Sequence, residues 1–226
     1  MPSLRALVVA DHESEYIWDH FNRELFADVD VIISCGDLKA DYLSFLTTMV
    51  ARPLYYVPGN HDGRYLTHPP EGCDDLTEKM VVIKGIRFLG FGGCNSRSPK
   101  PFHYTEADIA RQIIKSMPDI CRHGGFDVLV THTPAAGLGD GEDAFHKGFL
   151  GYRMLLEQFL PSYHLHGHMH RTYGNVKSRI KHNNTVIINA YGYHLIDITV
   201  PDTYHRRLSY IRTRYEWRQM NDRRKK

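Results

Sequence analysis

Five short polar groups each follow an apolar run: Asp11-His12-Glu13, Gly36-Asp37, Gly59-Asn60-His61-Asp62, Thr131-His132 and Gly167-His168-Met169-His170. They supply carboxylates, an amide oxygen and imidazoles, a donor set suited to Mn, Fe, Zn or a similar divalent ion, and the lack of thiolate argues against a structural zinc cage. In extended backbone, residues two apart share a face, so Asp11 and Glu13 are expected to converge on one ion while His12 points away. The same spacing brings His168 and His170 together and excludes Met169. The overall ratio of 15 His to 4 Cys points to the same nitrogen and oxygen chemistry. Cys35, Cys73, Cys94 and Cys121 form no CxxC pair and read as buried thiols of a reducing compartment.

Strands and helices must carry these groups to one place. Short β-branched runs at residues 4–10, 29–35 and 54–57 alternate with helically spaced stretches at 15–26 and 41–49. Such alternation predicts a parallel βαβ sheet whose carboxyl strand ends gather polar residues along one edge. Beyond Lys79, two apolar runs around Lys84-Gly85 predict a hairpin that begins a second sheet. A helix is expected over 107–117, and further strands over 126–130, 163–165, 186–189 and 195–200. Residues 64–75 and 133–148 read as long loops.

A chain of 226 residues with 42% hydrophobic side chains suits one domain with a short appendage, and excludes disordered, collagen-like and coiled-coil classes. No apolar run approaches a membrane span and no signal-like start opens the chain, so a soluble, cytoplasmic protein is expected. Residues 201–226 hold nine Lys or Arg against three acids, leaving 19 basic and 23 acidic residues in the first 200. This basic extension interleaves Arg with Tyr204, Tyr210, Tyr215 and Trp217, a pattern compatible with nucleic acid but equally with a solvated tail, and it assigns no nucleic-acid function by itself.

The ordered set D-x-(E), G-D, G-N-H-D, a later single His and G-H-x-H resembles the calcineurin-like metallophosphoesterase family over residues 4 to about 200. That resemblance implies an α/β fold, a four-layer α/β/β/α sandwich of two mixed sheets flanked by helices with a dinuclear site at the sheet edges. It further implies that Asp37 bridges two divalent ions, one completed by Asp11 and His170 and the other by Asn60, His132 and His168. His61 is implied to face the leaving group. Ions roughly 3.5 to 4 Å apart hold a hydroxide between them, which attacks phosphorus in line. An imidazole at His61 suits protonation of the leaving alkoxide, with Asp62 or Asp41 available to orient it.

One position departs from the family pattern D-x-H, because Glu13 stands where a metal-binding His belongs. Glu13 is expected as an oxygen ligand by the two-residue rule; use of His12 through a shifted backbone and a weakly held first metal are the alternatives. A third carboxylate would make the site more electron-rich, attracting phosphate less and acidifying water less. Arg64, Asn95, Arg97 and His146, the last in an H-x-G-F segment found in some relatives, are candidate substrate contacts. His164 and His166 read as strand packing, and Phe102, Tyr104, Phe145 and Phe149 as core or loop aromatics.

These residues point to metal-dependent hydrolysis of a phosphate ester, a phosphodiester rather than a phosphomonoester, with two divalent ions (manganese among the candidates). A weakly active scaffold of the same fold that binds protein partners, and a nuclease using the basic tail, are the competing readings. Oligomeric state is not legible in the sequence.

Overall fold

The computed structural model describes residues 1–143, 146–170 and 178–201. The basic extension predicted from residue 201 therefore lies, but for its first residue, outside the described residues, as does Phe145. In chain order the strands are β1 (Ser3–Ala10), β2 (Val31–Ser34), β3 (Leu54–Tyr56), β4 (Cys73–Asp75), β5 (Met80–Ile83), β6 (Ile86–Phe91), β7 (Cys94–Asn95), β8 (His103–Tyr104), β9 (Val128–Thr131), β10 (Tyr163–His166), β11 (Arg179–His182), β12 (Thr185–Asn189) and β13 (Gly192–Thr199). Among the described residues four α-helices accompany them: α1 (Glu15–Asp19), α2 (Ala40–Val50), α3 (Glu106–Arg122) and α4 (Leu150–Phe159).

Two large sheets face each other, one ordered β13-β1-β2-β3-β4 and the other β11-β12-β10-β9-β6-β5. Both are mixed: β1 to β4 run parallel with β13 antiparallel at the edge, while β6, β9, β10 and β12 run parallel between antiparallel β5 and β11. Alternation along each strand then builds the layers. Ala6, Val8, Ile33, Phe88, Val130 and Leu165 fill the space between the sheets. Leu7, Val9 and Ile32 instead meet Ile17, Tyr42, Leu43 and Leu46 of α1 and α2. On the opposite face Leu89, Phe91, Leu129 and Ile187 meet Ile113, Met117, Tyr152 and Leu155 of α3 and α4. The result is the expected α/β/β/α sandwich.

Several boundaries moved. The helix expected over 15–26 is broken into α1 and a 3-10 turn at Arg23–Phe26, with Ser14 and Asn22 each capping the piece that follows. Helix α3 runs on through Pro118 to Arg122, because the buried stripe of Ile113, Met117 and Ile120 holds it on the sheet despite the hydrogen bond that proline removes. The expected hairpin forms at Lys84 and Gly85, both at positive φ (48° and 81°), the combination a type I′ turn requires. The loop expected over 64–75 ends in β4, which no β-branched run announces.

A buried ion pair fastens the second sheet's lower end. Asp127 accepts from the Arg87 backbone N–H at 2.9 Å and from its guanidinium at 2.8 and 2.7 Å, while the same guanidinium donates to the His123 carbonyl at 2.7 Å. Asp127→Ala strands the buried cation and is expected to cost about 3 kcal/mol, read from urea unfolding midpoints.

His164 and His166 behave as strand packing. Their side chains face away from the layer that takes Tyr163 and Leu165, and His164 shares a hydrogen bond of 2.8 Å with Thr131 Oγ1. Burial holds both imidazoles neutral, with His166 pushed down to about 4 and His164 held well below its ordinary value. The unfolded chain binds protons on these rings below about pH 6.5 and the folded chain does not, so stability falls as pH drops through that value. The slope is expected to approach about 1 kcal/mol per pH unit for each ring. Urea titrations at pH 7 and 5.5 should show it, and His164→Gln should remove about half.

Candidate metal centre

The candidate metal-binding side chains and His61, Glu13 apart, lie just past the carboxyl ends of parallel strands: Asp11 after β1, Asp37 after β2, Asn60 and His61 after β3, His132 after β9, and His168 with His170 after β10. The edges of both sheets therefore face the same space. Three of these residues, Asp11, Asp37 and His168, have positive φ of 63°, 57° and 66°. Left-handed backbone outside glycine costs of order 1 kcal/mol and persists where surrounding contacts fix it. Here the Asp11 N–H donates to the Gly36 carbonyl at 3.0 Å, the Asp37 N–H to Asp62 Oδ2 at 2.8 Å, and the His168 N–H to both Asp11 oxygens at 3.0 Å.

Those turns overturn the extended-backbone argument for pairing residues two apart. Strand β1 ends at Ala10 and β10 at His166, so Asp11 and His168 bend away from strand geometry before Glu13 and His170 are reached. His168 and His170 nevertheless stay at one edge, with His170 Nε2 3.7 Å from Asp11 Oδ1.

The centre of the constellation is His132. Its Nδ1 donates to the Cys35 carbonyl at 2.7 Å, which leaves Nε2 as the donor atom for an ion. Around Nε2 stand Asp37 Oδ2 at 3.3 Å, Asn60 Oδ1 at 3.1 Å and His168 Nδ1 at 3.2 Å. Asp37, His132 and His168 offer ligand atoms all within 4.8 Å of one another. Electron pairs so converged require positive charge between them, and the donor set fits a divalent cation. The same demand shows in titration: burial disfavours the His132 imidazolium, yet the neighbouring Asp37 carboxylate pushes the ring up to about 9. Burial likewise opposes ionisation of Asp37, and His132 with the His61 N–H holds it well below the usual carboxylate range.

Small residues leave room for these side chains. A Cβ on Gly59 would lie 2.1 Å from Asp37 Oδ1, and one on Gly167 would lie 2.7 Å from Asp11 Oδ2. Asp62, buried beside them, accepts from the backbone N–H groups of Gly59 at 2.7 Å and Asp37 at 2.8 Å. Burial, then the Asp37 charge, raises its carboxyl to about 7. Its oxygen is thus placed on the two loops that carry Asp37 and Asn60 rather than on the His61 ring.

A cavity of about 1060 Å³ opens beside this centre, lined by Asp11, His12, Glu13, Asp37, His61 and Arg64, with Lys39, Trp18 and His68 on its walls. No sequence pattern singled out the last three, because they share no motif with the ligands. Glu13 accepts from the Lys39 backbone N–H at 3.1 Å and lies 3.3 Å from its ammonium. The His12 ring stacks on Tyr191 at 5.8 Å. His146 stands beside His168: Asp143 holds its Nδ1 at 2.7 Å, and its ring lies 5.5 Å from that of His168. Asn95 donates to the Gly148 carbonyl at 3.4 Å and so braces the loop bearing His146, whereas Arg97 is exposed and does not line the cavity. Phe149 is core.

The sequence profile of the calcineurin-like phosphoesterases matches residues 4–172. The chain belongs to that family. Calcineurin-like phosphoesterases carry out phosphoester hydrolysis, and the family profile covers every group at the centre described above. Among curated proteins the chain is similar to the UPF0046 protein K07C11.7 of Caenorhabditis elegans, 26% identical over 220 residues, covering 84% of this chain and 70% of that protein. In fold it resembles TT1561 of Thermus thermophilus, at 14% identity with a TM-score of 0.55, covering 84% of this chain and 89% of the other. A dimetal phosphatase from Danio rerio is also similar in fold, at 10% identity and a TM-score of 0.52, covering 85% and 88% of the two chains.

Proposed function

We propose that this calcineurin-like phosphoesterase hydrolyses a phosphodiester with two divalent ions. One would be held by Asp37, Asn60, His132 and His168, the other by Asp37, Asp11 and His170. The observation that carries the reading is the convergence of Asp37 Oδ2, Asn60 Oδ1 and His168 Nδ1 on His132 Nε2, each within 3.3 Å. When bound, such ions would supply Lewis acidity and lower the pKa of a water that serves as nucleophile.

The chain's own residues do the remainder. Asn60 binds through a neutral oxygen and adds no negative charge where phosphate must sit. The His61 N–H donates to Asp37 Oδ1 at 2.7 Å, and its ring lines the cavity, which supports a role in giving a proton to the departing alkoxide. Asp62 positions both loops through the backbone. Arg64, on the cavity wall, and the Asp143-oriented His146, beside His168, would bind phosphate oxygens. A cavity of about 1060 Å³ leaves room for both ester arms, which favours a diester. All four cysteines are unpaired, which supports a reducing, cytoplasmic location. Among the described residues no helix is long and apolar enough to cross a membrane.

The test is hydrolysis of bis(p-nitrophenyl) phosphate against p-nitrophenyl phosphate by chelator-treated protein resupplied with Mn, Fe, Zn, Co or Ni. Diester hydrolysis restored by metal, and lost in His61→Ala, is the expected result. Failure to cleave either ester with any of the five ions would refute the proposal and favour a scaffold role.

A further inference from the structure

We infer that Glu13 is not a metal ligand in this chain but the anchor of Lys39, and that the pair sets the charge of the cavity wall beside the metal centre. The inference rests on the two-ion reading proposed above. Glu13 occupies the position at which the family motif would place a ligand, and its two oxygens both meet Lys39: Oε1 accepts the backbone N–H at 3.1 Å and Oε2 lies 3.3 Å from the ammonium. The first of these contacts is to backbone, so it does not depend on how the lysine side chain swings.

The surrounding geometry explains why the carboxylate goes there. Lys39 is the N-cap of α2 and offers no side chain to cap it, so Glu13 brings a negative charge to the helix start from the neighbouring loop. The adjoining Ser14 N–H donates to the Tyr42 hydroxyl at 3.3 Å, and the Tyr65 hydroxyl bonds the Leu38 carbonyl. The first contact ties the loop after β1, which carries Asp11, to α2, and the second ties the turn after β3 to the loop after β2, which carries Asp37. A ligand role would compete with the contacts that both oxygens make to Lys39. The positive φ of Asp11 also removes the extended geometry that would have pointed Glu13 with it.

The consequence is electrostatic. The Lys39 side chain is 77% exposed and lines the same cavity as Asp11, Asp37 and His61. Beside Glu13 its field is largely cancelled, so the pair adds little net charge to the wall that an incoming anion meets. Such a wall favours a singly charged phosphodiester relative to a dianion, for which an uncancelled lysine would be an asset. Glu13 is therefore a positioning and specificity residue.

Calorimetric titration of the metal-loaded protein with inorganic phosphate, together with metal counting by mass spectrometry, tests this without relying on turnover. Glu13→Gln is expected to retain the metal number of the wild type and to bind phosphate roughly threefold more tightly, since the lysine charge is then uncancelled. Lys39→Met should weaken phosphate binding by roughly the same factor, and the double variant should return to the wild-type value. Loss of one ion per chain in Glu13→Gln would overturn the inference in favour of the ligand reading. Unchanged phosphate affinity in both single variants would overturn the charge role. Lys39→Met reports even where Glu13→Gln fails to fold. A wild-type protein that binds no metal would instead refute the proposed function.

Discussion

Asp37→Asn is expected to lower phosphodiester turnover at least about a thousandfold while the protein stays folded. The substitution keeps shape and one carbonyl oxygen, so the His61 N–H at 2.7 Å can still be accepted. It removes the charge that faces His132 Nε2 at 3.3 Å and turns one acceptor oxygen into an NH₂ donor. A donor cannot coordinate a cation, so the position proposed to bridge two ions would serve at most one. Metal counting should show a fractional occupancy, and kcat should fall rather than KM rise alone. The companion Asp62→Asn should behave differently. Asp62 acts through the backbone of Gly59 and Asp37, and Asn retains an acceptor oxygen for those N–H groups. A loss of about tenfold to a hundredfold, with metal number kept, is expected for such a supporting residue. Equal, complete inactivation of both variants would show that Asp62 takes part directly.

Gly59→Ala should be nearly as damaging, although glycine supplies no functional group. The added methyl would lie 2.1 Å from Asp37 Oδ1, 2.6 Å from its Cγ and 2.7 Å from its backbone nitrogen. Real contacts of a Cβ are never that short, so Asp37 or the β3 loop must move. Overpacking of this kind typically costs about 1 to 3 kcal/mol of stability. A displacement of about 1 Å at a catalytic group costs on the order of a hundredfold in rate. The control is Gly63→Ala in the following turn, where the new methyl would meet only Pro101 at 3.6 Å, an ordinary van der Waals contact. Assays and thermal melts of the two variants side by side should separate a specific steric conflict at Asp37 from a general intolerance of this loop.

Much of the centre was legible because parallel strands expose their carboxyl ends on one edge. Asp11, Asp37, Asn60, His132 and His168 could be read off as residues following β-branched runs, and the structure brings them to the same space. The reading by alternate facing was less secure. It treated residues 11–13 and 168–170 as continuing their strands, whereas positive φ at Asp11 and His168 ends strand geometry at once. Gly167 hints at a break before His168, but the bonds that hold these turns come from Gly36 and, for His168, from Asp11 at 157 positions' separation, so the local sequence does not fix them.

The sequence by itself determined the class of ligand chemistry and the alternation of strand and helix, since these follow from residue type and from hydrophobic periods of local range, while the order of the layers came from the resemblance its motifs carry. Tertiary structure alone decided which polar atoms meet. It placed Asp62 on the backbone of Gly59 and Asp37, set the Asp143-oriented ring of His146 beside that of His168, and joined Glu13 to Lys39, 26 residues away. A hydrogen bond is made over about 3 Å and in one direction, so its partner depends on how distant loops are held, and no spacing along the chain encodes that.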